Sequence, residues 1–183
     1  MDQENTVSVM GWIEKWLNTY VKPNLASKTY SSYNAVAGIL KTYFPELRDL
    51  PIDKFNTLHA QSIINSLADK FAKSTLCTLR VVFHESYYYA ESIPALHAHQ
   101  LGRLMIPKSA KVKKVRAMTR LEQEAVESAA NTALLGHIAI FFLRTGLRAS
   151  ELCDLDWEDY NSHNRTIKVR KSKTAAGIRY VPL

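Results

Sequence analysis

The chain has 183 residues, room for one medium or two small domains, and its 46% hydrophobic content excludes a disordered polymer. Its 24 Lys and Arg against 17 Asp and Glu leave a formal charge of +7, which favours a polyanionic partner. The polar, acidic start Met1-Asp2-Gln3-Glu4 lacks a signal-peptide pattern, and the longest apolar run, near Ile138–Leu143, is too short to span a bilayer, so a cytoplasmic location without membrane contact is expected.

Val9, Trp12, Ile13, Trp16, Leu17 and Tyr20 recur at helical spacing and predict a first amphipathic helix that ends at Pro23-Asn24. Ser27 should cap a second helix, with Tyr30, Tyr33, Val36, Ala37, Leu40 and Tyr43 on its apolar side and Pro45 as its stop. Leu58, Ile63, Ile64 and Leu67 predict a third. Ser74 or Thr75 should cap a fourth, carrying Leu76, Leu79, Val82, Phe83, Tyr87 and Ala90. Beyond Pro94 a short helix through Leu96 and Leu101 is expected. The aromatics Trp12, Trp16, Tyr87, Tyr88 and Tyr89 read as core in preference to base-stacking platforms. Cys77 and Cys153 stand far apart without a partner motif, and read as buried thiols in a reducing compartment. His97-Ala98-His99 reads as a polar helix face, not a metal pair.

Pro107–Arg116 carries no acid and no apolar period. It is a linker with a charge run, either a solvated loop or a strap along a phosphate backbone through Lys108, Lys111, Lys113, Lys114 and Arg116. The expected organisation is a helical domain over residues 1–106, this linker over 107–116, and a second domain over 117–183. In the second domain, Thr119-x-x-Glu122 is a capping box that opens a helix through Ala130. Ala133–Leu143 is apolar nearly all round and should form the buried centre. Trp157–Tyr160 begins a strand, Asn161–Asn164 turns, Thr166–Arg170 alternates as a strand, and Ile178–Leu183 returns beside it.

Between these elements lies Thr145–Leu155, T-G-L-R-A-S-E-L-C-D-L. Gly146 sits where a helix end needs a positive φ. Arg148 should fall in the first turn of a new short helix, where backbone N–H groups and a guanidinium fork can face one phosphate. Glu151, one turn later on the same face, can hold that guanidinium. The bland reading is a capped surface helix with an Arg–Glu pair.

The string T-G-L-R-A-S-E-L, followed by L-D-W-E-D-Y and a strand pair closing on V-P-L, resembles the first catalytic box of the tyrosine recombinases, the phage integrase family. The helices upstream, with W-L-N-T-Y-V-K-P and S-K-T-Y-S-S-Y, are similar in pattern to that family's core-binding domain. The resemblance implies a mainly α fold: a SAM-like helical bundle, then the start of an α+β catalytic domain with a β-hairpin. It implies site-specific DNA recombination without metal or cofactor, double-stranded DNA as partner, a tetramer on DNA, and no small-molecule substrate. A tyrosine would attack a DNA phosphate and form a 3′-phosphotyrosyl link. Arg148 would clamp the non-bridging oxygens with Glu151 in support. Lys173, with Lys171 in reserve, would protonate the leaving 5′-oxygen. Any sequence reading would come from exposed faces of the second and fourth helices, at Lys28, Thr29, Lys73, Ser74 and Thr78, which are placed by position within those helices only. The family's His-x-x-Arg box and nucleophilic tyrosine match nothing in these 183 residues, and Tyr160 and Tyr180 fall on or beside strands. The chain is therefore expected to bind DNA and to be inactive alone. A non-enzymatic protein that occupies recombinase sites is the competing expectation.

Overall fold

Ser8 turns the chain into its first helix by accepting the Gly11 N–H at 3.2 Å, the bond a serine N-cap supplies. The computed structural model describes residues 7–112, 115–172 and 174–183. Helix α1 (Val9–Trp16) buries Val9, Trp12, Ile13 and Trp16, as their spacing predicts. It runs on through a π turn, Leu17–Val21, and a last turn, Lys22–Asn24. The Lys22 N–H reaches back to the Leu17 carbonyl, five residues away by numbering. This slip falls just before Pro23, whose ring cannot pack against the carbonyl four residues back.

Helices α2 (Ser27–Tyr43), α3 (Thr57–Ser66) and α4 (Lys73–Glu91) complete the bundle. Two expected caps are not formed. Ala26 and Ala72 occupy the cap positions, so Ser27 opens α2 from within its first turn, and Ser74 and Thr75 lie inside α4. Only α3 of the three has a side-chain cap: Asn56 accepts from the N–H groups of Leu58 and His59 at 2.9 and 3.2 Å. Leu58 itself is 79% exposed, because it lies opposite Ala60, Ile63 and Ile64 on the helix. The helix expected through Leu96 and Leu101 is a 3₁₀ turn, Pro94–Leu96, ended by His97 in the left-handed region at φ 46°. Leu101 and Leu104 follow in irregular chain and still reach the core.

Tyr43, at the end of α2, meets Phe71, just before α4, with ring centroids 5.5 Å apart. Tyr33, earlier in α2, shares a pocket with Glu85, late in α4. The two long helices are therefore antiparallel. Between them and α1 the core holds Trp12, Leu40, Leu76, Phe83 and Tyr87, and the Trp12 indole donates to the Ser86 carbonyl at 2.8 Å. Tyr88, expected in the core, is 60% exposed, since its neighbour Tyr87 takes the inward position. Cys77 is only partly buried and Cys153 is exposed, which corrects the expectation of two buried thiols; both are free. Among the described residues no helix is long and apolar enough to cross a membrane.

The chain divides into two compact units, Met1–Lys114 and Val115–Leu183. In the first, Ala110 is buried and the Lys111 carbonyl accepts the Lys73 N–H at 2.8 Å, so the chain is held against the start of α4 as far as Lys111. In the second, α5 (Arg120–Ala130) opens on the expected box: Thr119 accepts the Glu122 N–H at 3.3 Å, and the Glu122 carboxylate accepts the Thr119 N–H at 2.8 Å. Helix α6 (Gly136–Thr145) starts later than the apolar run. It is half-buried, not the buried centre expected, with Leu134 93% and Leu135 63% exposed just before it. Its partners among the described residues are α5 and a small cluster of Leu147, Val169 and Val181, too few to surround it. Short helix α7 (Ala149–Cys153) leads to a 3₁₀ turn, Trp157–Asp159, where a strand start was expected. Strands β1 (Tyr160–Asn161), β2 (Thr166–Val169) and β3 (Arg179–Pro182) form an antiparallel sheet in the order β1-β2-β3. Val169 pairs with Arg179 and Ile167 with Val181.

Candidate active site and nucleic-acid contacts

Gly146 ends α6 at φ 63°, a conformation an L side chain strains to adopt. The turn it makes sets Arg148 as the N-cap of α7, one position earlier than the first helical turn. The Arg148 N–H is not left for a ligand, as expected from a bare helix start. It donates to Glu151 Oε2 at 3.0 Å, because a glutamate three residues on folds back to the cap. What Arg148 offers is its guanidinium, whose side chain is 60% exposed and held by a single arm, Nη1, on Glu151 Oε1 at 2.6 Å.

Glu151 is the hub. Its side chain is 1% exposed, and both oxygens are shared. Oε1 also accepts from Ser172 Oγ at 2.8 Å and Arg179 Nη1 at 3.3 Å, and Oε2 accepts from Arg179 Nη2 at 3.1 Å. The Arg179 guanidinium first, and then the Arg148 N–H, hold its carboxyl well below the usual carboxylate range, against the opposing effect of desolvation. Two cations thus meet one anion, and a net positive charge remains. Gly177 gives the hub its room: a Cβ there would lie 2.0 Å from Ser172 Oγ. Arg148 and Arg179 open together on a cavity of about 380 Å³ that Gly146, Thr174 and Gly177 also line. An exposed fork braced from behind by a buried carboxylate can receive an anion without rearranging.

Arg179 and Ser172 were missed in the sequence. The signal for Arg179 was present: it stands two residues from buried Val181, on the same face of the strand, and pairs with buried Val169, so it points inward, and an inward arginine needs an acid. Nothing in the sequence singled out Ser172. A second pair braces the same unit, with Arg170 Nη2 at 2.5 Å from Asp156 and Nε at 2.6 Å from buried Asp159.

Lys173, Lys113 and Lys114 lie outside the described residues. Lys171 is exposed. Lys28 is exposed and Thr29 partly buried in the first turn of α2. Lys73 and Ser74 are exposed at the start of α4, joined through backbone to Lys111, while Thr78 donates its hydroxyl to the Ser74 carbonyl at 3.1 Å. Lys108 is exposed. Since α2 and α4 are antiparallel, Lys28 and Lys73 stand at opposite ends of the pair, about 25 Å apart along a 17-residue helix. Arg116 is engaged with Glu122, its Nη1 lying 2.7 Å from Oε2, which ties it to the start of α5.

Residues 111–183 match the model of the phage integrase family. Arg148, Glu151 and Arg179 all fall within this matched segment. The fold is shared with the Tn1549 transposon integrase in complex with circular intermediate DNA, at a TM-score of 0.73 and 18% identity over 97% of this chain and 61% of that one. It is shared as well with a lambda integrase tetramer bound to a Holliday junction, at 0.72 and 19% over 98% and 52%. The chain therefore spans between about half and three fifths of the length of these structures. No curated protein matches.

Proposed function

We propose that these residues form the DNA-gripping bundle and the first phosphate-binding box of a site-specific recombinase that works in the cytoplasm without a cofactor. The observation that carries this is the exposed Arg148 fork, braced by buried Glu151 and opening with Arg179 on one cavity. In the proposed step a tyrosine oxygen attacks the scissile phosphorus, the bond to the 5′-oxygen breaks, and that oxygen takes a proton. Arg148 neutralises charge on the non-bridging oxygens. Lys173 supplies the proton, with Lys171 in reserve; Ser172 and Thr174 both border Arg148, which supports a hairpin donor here. Double-stranded DNA is the partner, gripped by phosphate contacts from the strap of Lys108, Lys111, Lys113, Lys114 and Arg116, with any sequence reading from the faces of α2 and α4 that carry Lys28, Thr29, Lys73, Ser74 and Thr78. The tetramer seen for lambda integrase on a Holliday junction supports the same assembly here.

No His-x-x-Arg box occurs in the 183 residues. The competing reading is a protein that binds recombinase sites without cutting them. A nicked suicide duplex separates the two. The 183-residue chain should bind it and form no covalent adduct. A longer form carrying the box and a downstream tyrosine should form one. A covalent adduct from the 183 residues would mean that the nucleophile is Tyr160, Tyr180 or a bundle tyrosine, and the assignment of roles would fall.

A further inference from the structure

A pocket between the end of the first helix, α2 and α4 plays no part in the phosphate chemistry. Its volume is about 240 Å³, and its lining includes Trp16, Tyr20, Tyr33, Tyr89 and Glu85. The rings are paired: Trp16 stacks on Tyr33 with centroids 5.9 Å apart, and Tyr20 meets Tyr89 at 4.4 Å. The π turn Leu17–Val21 builds one wall, supplying both Tyr20 and Val21. Such turns recur at functional sites, because the slipped register re-aims side chains that a regular helix would place elsewhere.

Glu85 makes no ion pair among the described residues, although the chain carries 24 Lys and Arg. Its charge reaches the pocket: after burial, the Glu85 carboxylate is the second cause that raises the Tyr33 hydroxyl above its ordinary value. Four aromatic rings and one unpaired carboxylate repel a phosphate and attract a cation, whose charge the ring faces and the acid stabilise together. The volume suits a side-chain head and is too small for a folded segment.

We propose that this pocket receives the guanidinium or ammonium head of a basic side chain presented by a second copy of this chain. The charge balance points to that source. Each copy has a formal charge of +7, so copies that come together repel unless their contacts pair a cation with an acid. Glu85 is an acid free to do so.

The test uses the ¹⁵N-labelled 183-residue chain, with arginine ethyl ester as probe and citrulline ethyl ester as its neutral isostere. The Trp16 indole cross-peak should shift saturably with the arginine ester and not with the citrulline ester. The Trp12 indole, bonded to the Ser86 carbonyl, should stay still and report an intact fold. Glu85→Gln and Tyr33→Leu should each weaken the response by roughly threefold or more. On dilution without probe the Trp16 signal should move toward a limiting position, and Glu85→Gln should remove that dependence. An unmoved Trp16 signal, or equal responses to both esters, overturns the site. A response to the ester with no dilution dependence overturns the second copy as its source.

Discussion

In residues 7–112 the largest side chains are the best buried: Trp12 is 1% exposed, and Phe83 and Tyr87 are 0%. In residues 115–183 the order is inverted. Trp157 is 88% exposed and Leu134 93%, while a carboxylate, Glu151, is 2% exposed. An open cavity of about 660 Å³ lined by Phe141, Leu155, Trp157 and Ile167 lies beside the small cluster of Leu147, Val169 and Val181. Apolar burial therefore holds the first unit, and its functional candidates are polar residues outside that core. Charge and hydrogen bonding hold much of the second, and there the candidate site and the structural brace are the same residues. Altering the first unit's contacts should change binding alone. Altering the second unit's hub should change chemistry and stability together.

The largest effect belongs to Arg148. In a form of the protein that carries the complete catalytic set, Arg148→Lys should lower strand cleavage by on the order of 10³–10⁵, by analogy with arginine fingers, and leave site binding nearly intact. Lysine keeps the charge but cannot hold Glu151 with one arm and a phosphate with the others. Cleavage near the wild-type rate would make Arg148 structural, and the overlap of brace and site would be lost. Next comes the core contrast. Phe83→Ala should cost about 3–5 kcal/mol in urea denaturation, the usual range for a fully buried aromatic. Leu147→Ala, at the edge of a small and open cluster, should cost less than about 3 kcal/mol. Equal costs would show that the second unit is packed as well as the first.

The bundle was legible because its elements obey one period. Val9, Trp12, Ile13 and Trp16, or Leu76, Leu79, Phe83 and Tyr87, repeat at helical spacing, and every one is buried. What failed there was local: Ser27 and Ser74 look like caps, but Ala26 and Ala72 take the cap positions. In the second unit the short motif T-G-L-R-A-S-E-L was legible, because Gly146, Arg148 and Glu151 act within one turn of each other. Arg179 and Ser172 act on Glu151 from 28 and 21 residues away, a separation no local pattern reports. The apolar run before Leu143 misled because periodicity describes which side chains want burial, and not whether enough neighbours surround them.

A smaller effect tests the first unit's surface. Lys73→Ala with Lys111→Ala removes two exposed cations joined through one backbone hydrogen bond. If both touch phosphates, the log–log salt slope of duplex binding should flatten by about 1.8, at ~0.9 per contact, equally for specific and unrelated sequences. The urea midpoint should not move. An unchanged slope would remove the start of α4 from the interface, and a changed midpoint would show that these lysines are part of the fold.

The smallest effect is on pH, and it is confined to the second unit. Glu151 has a carboxyl held below its ordinary 4.5 by Arg179 and Arg148, and Glu122 is held at about 2 by Arg116 and Thr119. A group whose folded value is depressed binds fewer protons in the folded state. Its contribution is complete above the ordinary value and is lost as pH falls from there toward the folded value. The second unit should therefore be unaffected between pH 8 and about pH 5, and should loosen progressively below about pH 4. Glu151 carries the argument further than Glu122, because its partners come from the far strand and loop, whereas Glu122 only caps its own helix and is open to solvent. In ¹⁵N spectra the Val169 and Val181 signals, which flank Arg179, should broaden on acidification before those of Leu40 and Phe83. Glu151→Gln should lower the second unit's stability at neutral pH and flatten its pH dependence, since nothing is then left at the hub to protonate. If Val169 and Leu40 respond together, the two units unfold as one, and the separation between a unit held by burial and a unit held by charge does not describe this protein.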